Sequence, residues 1–212
     1  VKPETVDNYE IGLRSSWFDD QLIINGAVYY MDWTDLQLEA TSPPPDFLAI
    51  TKNGGSAETS GIELEARWML NEHWSFGLGY AYTNAELSDS CVNIVDWDDP
   101  NLTCPIYGVE TEDGDRLPGT PEHQGNFLVA YNTDISSELS LNASYQMTTQ
   151  SDVLTKLGDG DDCCRDFGES LSGFTIHSAS VGLSSETWDV NLFADNMFNK
   201  YAETGVRTDT GF

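Results

Sequence analysis

Apolar and polar residues alternate with a period of two along most of the chain. The clearest case runs from Glu138 to Met147, where Leu139 and every second residue after it are apolar. This pattern is typical of a β-strand with one apolar and one polar face. It predicts eight strands, while no segment indicates a convincing amphipathic helix. The predicted strands are Tyr9–Trp17, Leu22–Tyr30, Ile62–Leu70, Trp74–Thr83, Asn126–Asn132, Glu138–Met147, Phe174–Leu183 and Trp188–Asp195.

The connections between the predicted strands alternate in length. The short turns lie around 19–20, around 71–72, and at 133–137 and 184–187. The long connections lie at about 37–48, 86–122 and 149–173, and a tail follows Asn196. Short turns at one end and long loops at the other are typical of an outer-membrane barrel. The sequence therefore predicts an all-β fold, an antiparallel transmembrane β-barrel segment with long extracellular loops, in preference to a soluble sandwich.

The two strand faces also favour a membrane barrel. One face carries Leu, Val, Ala, Trp and Tyr, and the other carries Ser, Asn, Gln, Glu and Gly. Aromatic residues fall near strand ends, where a barrel places its interfacial girdles. They are Trp17, Tyr30, Trp68, Trp74, Tyr82, Tyr131 and Trp188. No apolar run approaches the roughly 18 residues of a membrane helix, which excludes a helical membrane protein.

Charge and motifs exclude further classes of function. The chain has 9 Lys+Arg against 36 Asp+Glu, a formal net charge of −27. A field of this sign repels phosphate, so nucleic acid is not an expected partner. The sequence has no G-x-S-x-G motif, no Walker loop and no G-x-G-x-x-G motif. Its histidines, His73, His123 and His177, are scattered, so we expect no enzyme activity.

The direction of the strands predicts that the barrel is larger than this chain. The first strand runs into a short turn and the eighth strand leaves one. Short turns belong on the periplasmic side, so both chain ends are expected outside the cell. A complete barrel of this kind keeps its ends in the periplasm. We therefore expect about eight strands of a larger barrel, with further strands before Val1 and after Phe212.

Five stretches resemble, in the same order, barrel motifs of the TonB-dependent outer-membrane receptors. The first, Val1–Leu13, is similar to the "KPE…NYEIGLK" strand of that family. The others are Ala27–Trp33 with Asp35 and Gln37, Asn53–Glu65, Leu117–His123 and Asn191–Ala202. Each motif alone is weakly specific, but the ordered set covers nearly the whole chain.

This resemblance implies a place in a 22-stranded barrel with a plugged lumen. Residues 1–212 are then a partial barrel domain from which the plug and the final strand are absent. The implied function is active uptake of a scarce nutrient, a siderophore, haem, cobalamin or a glycan, across the outer membrane of a Gram-negative bacterium. The implied partners are the lipid bilayer, the remainder of the receptor with its plug, TonB and the substrate. A passive porin or structural barrel, and a secreted Ca²⁺-binding β-sandwich, are the alternatives.

The two longest loops concentrate carboxylates. Clustered carboxylates with Gly suit Ca²⁺, and the candidate ligands are Asp113, Asp115, Asp159, Asp161 and Asp162. Neither cluster completes an EF-hand loop, and a solvated acidic surface is the favoured alternative. No other cofactor is expected.

The same loops hold four cysteines and several aromatic residues. We expect Cys91 and Cys104 to form a disulfide within one loop, in preference to a cross-loop pairing. A vicinal bridge, a bridge to the other loop and a bond to a partner chain stay open for Cys163 and Cys164. Zinc is disfavoured because there is no C-x2-C spacing. Trp97, Tyr107 and Phe167 are candidates for stacking on a ligand, with packing inside the loops as an equal alternative.

Overall fold

The fold is one antiparallel sheet of eight long strands. A computed structural model describes residues 1–41, 49–53, 55–89, 113–155 and 170–205. The long strands lie side by side in chain order: β1 (Thr5–Trp17), β2 (Leu22–Thr34), β5 (Ser56–Met69), β6 (Trp74–Leu87), β7 (His123–Ser136), β8 (Leu139–Gln150), β11 (Phe174–Ser185) and β12 (Asp189–Ala194). Two short hairpins stand in the connections: β3 (Gln37–Thr41) with β4 (Ala49–Asn53), and β9 (Val153–Leu154) with β10 (Ser170–Leu171). Among the described residues, no helix is long and apolar enough to cross a membrane.

All eight predicted strands are confirmed, but several of their predicted limits are wrong at the end that carries the long loops. β5 begins at Ser56 rather than Ile62, and β6 ends at Leu87 rather than Thr83. Backbone hydrogen bonds hold the ladder there although the side chains no longer alternate. The segment at 37–48, predicted as loop, also contains β3.

The short connections are tight turns with specific local chemistry. Phe18, Asp19 and Asp20 all have positive φ, and Gln21 N donates to Phe18 O at 3.2 Å. In the turn between β5 and β6, Asn71 Oδ1 accepts the backbone N–H groups of His73 and Trp74, both at 2.9 Å. Asx side chains stabilise turns in this way. These contacts stabilise two of the hairpins at their turns. All four tight turns lie at one common end of the sheet, here called the turn end; the opposite end is the loop end.

Register places the apolar and polar residues on opposite faces. Ile11, Val28 and Ile62 are direct partners on neighbouring strands, so their side chains share one face. Gly12, Ala27 and Glu63, each one residue from a member of this row, are likewise direct partners and lie on the other face. Ile11 is 82% exposed and Val28 is 57% exposed, so the apolar face lies open along the strands. That face requires an apolar environment.

The buried apolar residues gather at the loop end rather than along the middle of the sheet. Within the described residues these are Leu36, Ala57, Ala85, Leu87 and Val153, and Leu87 is only 1% exposed. Ala57 and Leu87 are register partners on β5 and β6. This small core packs the bases of the long loops against the ends of the strands.

Candidate ligand-binding surface

The polar face of the sheet is concave and forms a trough of about 800 Å³, here called the polar trough. It crosses six neighbouring strands, from β1 to β8, which means that the sheet curves around its polar side. The side chains that line it on this face include Glu10, Arg14, Asn25, Glu63, Glu65, Gln124, Asn126, Thr148 and Gln150. A sheet that is polar on its concave side and apolar on its convex side is the arrangement of a barrel wall around a hydrated or filled lumen.

The polar trough has an acidic lining. Three of its side chains are carboxylates, those of Glu10, Glu63 and Glu65, and one is the guanidinium of Arg14. Glu65 Oε1 lies 3.2 Å from Nε of Arg67. The other oxygen of that carboxylate, Oε2, accepts a hydrogen bond of 3.4 Å from the amide of Asn25. The remaining carboxylates leave the lining net negative.

Glycines on the polar face allow long neighbouring side chains to lie close against the sheet. Gly61 is buried beneath the ring of Tyr29, whose hydroxyl lies 2.9 Å from Oγ1 of Thr83 on the next strand. A Cβ at Gly61 would lie 2.5 Å from Cζ of Tyr29 and 2.5 Å from the backbone O of Tyr82. A Cβ at Gly79 would lie 2.7 Å from the amide nitrogen of Asn126. Long side chains therefore lie flat across glycines, because any side chain at these positions would displace them.

At the loop end, Arg116 joins two connections that are far apart in sequence. Its Nη1 lies 3.0 Å from Oδ2 of Asp152, and its Nη2 donates to the backbone O of Asp152 at 3.3 Å. Its Nε lies 3.4 Å from Oε1 of Glu122. We call Arg116, Glu122 and Asp152 the loop-base cluster. The Arg116 side chain is 24% exposed, so water screens these contacts less than it screens an exposed surface pair.

Backbone hydrogen bonds hold the segment that carries the loop-base cluster. Leu87 N donates to Asp115 O at 2.9 Å, and Leu117 N donates to Ala85 O at 2.8 Å. Gly119 N donates to Leu154 O at 2.8 Å. Gly119 has φ of +81° and follows a proline, as the third position of a type II turn requires. The segment 113–121 is thus tied both to the end of β6 and to β9.

A second cavity, here called the mouth pocket, lies beside this segment and measures about 480 Å³. Its floor contains Gln124 and Gln150, which are register partners on β7 and β8 and also line the polar trough. The two cavities therefore adjoin at this pair of amides. The other described residues that line the mouth pocket are Gly119, Pro121, Val153, Leu154, Thr155, Leu171, Thr204 and Gly205.

Aromatic rings cluster on the apolar face near the turn end. The ring centroids of Trp74 and Tyr131 are 4.6 Å apart, and those of Trp68 and Phe76 are 5.7 Å apart. Trp74 and Phe76 lie 6.3 Å apart and join the two pairs into one cluster. Tryptophan and tyrosine prefer the boundary between lipid and water, so this cluster fits a girdle at the membrane interface.

Most of the site residues predicted from the sequence lie outside the described residues. These are the cysteines Cys91, Cys104, Cys163 and Cys164, the aromatics Trp97, Tyr107 and Phe167, and the aspartates Asp159, Asp161 and Asp162. Asp113 and Asp115 are described and lie in the turn that pairs with Leu87. Within the described part of the chain, no group of three His, Cys, Asp or Glu residues is arranged to hold a metal. The Ca²⁺ site and the disulfides stay predictions.

The loop-base cluster and the floor of the mouth pocket were not predicted from the sequence. The one feature of the sequence that points to the cluster is Arg116, because it is the only Lys or Arg between 86 and 122. Its partner Asp152 is 36 residues away, so spacing along the chain does not reveal the contact. Gln124 and Gln150 are polar residues at the loop ends of two strands, a position that points toward the mouth of a barrel.

Residues 1–197 match the sequence family described as TonB dependent receptor-like, beta-barrel. The chain belongs to this family. The match covers all eight long strands of the sheet. Membership places the chain in the outer membrane of a Gram-negative bacterium and confirms the fold class predicted from strand alternation.

Curated relatives of the chain are receptors. The pesticin receptor of Yersinia pestis is 22% identical over 201 residues, which is 93% of this chain and 25% of that protein. The ferric-pyoverdine 358 receptor of Pseudomonas putida is 28% identical over 91 residues, which is 42% of this chain and 11% of that protein. The chain thus spans about a quarter of the first relative.

Solved structures share the fold. The ferric yersiniabactin uptake receptor FyuA from Yersinia pestis superposes with a TM-score of 0.69 at 20% identity, covering 98% of this chain and 27% of that one. The unliganded ferric citrate transporter FecA superposes with a TM-score of 0.63 at 18% identity, covering 94% of this chain and 27% of that one. At these identities the likeness is one of architecture.

Proposed function

We propose that the full-length protein is a TonB-dependent receptor that imports a ferric chelate of the siderophore class across the outer membrane. The observation that carries the proposal is the two-sided wall, with an open apolar face and the concave polar trough behind it. The relatives support the choice of substrate class, because their names refer to ferric pyoverdine, ferric yersiniabactin and ferric citrate. We propose a transport role and no enzyme activity for the whole protein.

In this proposal the polar trough faces a plug domain supplied by the remainder of the receptor. A trough with three carboxylates and one guanidinium attracts a surface that bears Lys or Arg. We therefore propose that the plug presents basic side chains to Glu10, Glu63 and Glu65. The glycines beneath Tyr29 and Asn126 let these side chains lie flat, so that they protrude little toward the plug. A smooth contact surface suits a domain that must shift when TonB acts on it.

Iron uptake by intact cells tests the proposal. The full-length gene would be expressed in a Gram-negative host that lacks its own ferric siderophore receptors, with TonB either present or deleted. Uptake of radioactive iron supplied as ferric yersiniabactin, ferric pyoverdine or ferric citrate would then be measured. We expect uptake of at least one chelate that stops when TonB is deleted. Uptake that is equal without TonB would identify a passive porin, and a protein that is soluble without detergent would favour the secreted sandwich.

A further inference from the structure

The described lining of the mouth pocket is uncharged, whereas the loop-base cluster and the polar trough beside it carry charged side chains. None of the described side chains that line the mouth pocket is ionisable. Its walls instead offer aliphatic surface from Val153, Leu154 and Leu171, with Val153 nearly buried. Its floor offers the amides of Gln124 and Gln150, which both donate and accept hydrogen bonds. Such a mixture of apolar wall and a few polar groups is typical of a small-molecule site, and the volume of about 480 Å³ lies within the usual range.

The described charges next to the mouth pocket are negative on balance. The loop-base cluster has two carboxylates for one guanidinium. On the opposite wall, the carboxylate of Glu203 accepts the backbone N–H of Ser172 at 3.3 Å. Beyond the floor, the polar trough adds its own carboxylates. A polyanionic ligand in the mouth pocket would meet the nearest of these charges at short range, because Glu122, Asp152 and Glu203 are each next in sequence to a residue that lines the pocket. Screening by salt is incomplete at such range.

Internal contacts preform the mouth pocket. The hydrogen bond from Gly119 to Leu154 joins two of its walls, and the loop-base cluster joins the same two segments. The chain between β10 and β11 also lies close to the end of β8, since a Cβ at Gly173 would lie 2.9 Å from the backbone O of Gln150. This close approach holds Leu171, two residues earlier on β10, near the floor residue Gln150. A pocket fixed in this way binds with little ordering cost.

We propose that the mouth pocket is a ligand subsite that selects uncharged ferric chelates bearing an apolar ring system over polyanionic chelates. This inference rests on the proposed function and adds to it the charge class of the substrate. The ring system packs against Leu154 and Leu171, and the amides of Gln124 and Gln150 bind its polar edge. The acidic surroundings exclude chelates such as ferric citrate.

Binding measurements on the purified full-length receptor test this subsite. Quenching of tryptophan fluorescence would be titrated with ferric yersiniabactin as the heterocyclic probe and with ferric citrate as the anionic probe. Gln150→Lys adds one positive charge to the floor and makes the local charge balance less negative, and Leu154→Asp places a charge on the apolar wall. Gln146→Glu is the matched control, because it lies on the same strand and face about 14 Å from Gln150 at 3.4 Å per residue. Folding of each variant would be checked by the shift of the unheated protein on a denaturing gel.

We expect the wild-type receptor to bind the heterocyclic probe more tightly than ferric citrate. We expect Leu154→Asp to weaken binding of that probe by about tenfold or more. We expect Gln150→Lys to improve binding of ferric citrate by about tenfold, because the attraction between two unit charges at short range is large enough for such a change in affinity. Gln146→Glu should change neither value. Equal binding of both probes by the wild type, or variants that leave both affinities unchanged, would overturn the subsite while leaving the receptor function intact. A receptor that binds no ferric chelate of any charge would overturn both proposals.

Discussion

Replacing Arg116 with methionine should release the two connections that meet at the loop-base cluster. Methionine keeps most of the length of the side chain but removes both contacts to carboxylates and the hydrogen bond to the backbone O of Asp152. Hydrogen bonds to charged groups contribute about 1.5–3 kcal/mol when shielded, and exposed ion pairs contribute about 0.2–1 kcal/mol. Arg116 is 24% exposed and its partners are more exposed, so an intermediate cost of about 1–2 kcal/mol is expected.

Hydrogen exchange detects this change directly. A cost of about 1–2 kcal/mol raises the population of the opened segment by about 5–30-fold. Backbone amides in the peptide 113–122, including those of Leu117 and Gly119, should therefore exchange faster by that factor when opening is at equilibrium. The measurement is mass spectrometry of the full-length receptor in detergent. Arg116→Lys should fall between the wild type and Arg116→Met, because an ammonium group cannot replace the planar fork of the guanidinium.

Arg67 supplies the matched control. Its contact with Glu65 is also short, at 3.2 Å, but its side chain is 75% exposed and lies on β5. Arg67→Met removes one positive charge of the same kind and should leave exchange in the peptide 113–122 unchanged. Exchange at the wild-type rate in that peptide of Arg116→Met, or an equal acceleration in Arg67→Met, would show that Arg116 does not hold this segment.

Two further substitutions test packing on the two faces of the sheet. Gly61→Ala forces the ring of Tyr29 and the backbone carbonyl of Tyr82 to move, and should lower the free energy of unfolding by about 1–3 kcal/mol. Its control is Gly77→Ala, where the new Cβ meets its nearest neighbour at an ordinary 3.6 Å and should be tolerated; the measurement is the melting temperature of the full-length receptor. Tyr145→Phe removes the 2.7 Å hydrogen bond to Nδ1 of His177 and should cost about 0.5–1.5 kcal/mol. Tyr131→Phe is its control; equal losses of stability in denaturant for both variants would contradict this assignment.

The strands could be predicted because the membrane imposes a strict alternation. Between Leu139 and Met147 each residue faces either lipid or the polar side, so the sequence carries a period of two. The pattern stops where water reaches both faces, although the ladder continues. That is why the strand predicted from alternation began at Ile62 and did not include the first residues of β5, from Ser56 to Ser60.

The candidate sites depend on contacts that sequence spacing does not encode. Arg116 and Asp152 meet because β7 and β8 bring the bases of two loops together. Gln124 and Gln150 share a pocket because the register makes them partners. The hairpin of β3 and β4 was missed because three consecutive prolines at 43–45 indicate a loop, yet the residues on either side of them pair.

In a barrel wall, one face of the sheet contacts lipid while the other faces the interior. Phe127 and Leu128 are adjacent on β7 and point to opposite faces, since Phe127 pairs with Leu78 and Leu128 pairs with Gly77. Phe127 lies about 14 Å along the strand from Tyr131 in the aromatic cluster, which places it well inside the apolar band.

Arginine at each of these positions, compared in the full-length receptor, distinguishes the lipid-facing side of the sheet from the interior side. A lipid-facing arginine near the bilayer midplane costs about 2–4 kcal/mol, whereas an interior arginine is tolerated. The measurement is the fraction of receptor that is folded in the outer membrane, read from the gel shift of unheated samples. We predict that Phe127→Arg sharply lowers this fraction and that Leu128→Arg retains it. Equal losses, or a larger loss for Leu128→Arg, would contradict the assignment of the two faces and with it the barrel wall.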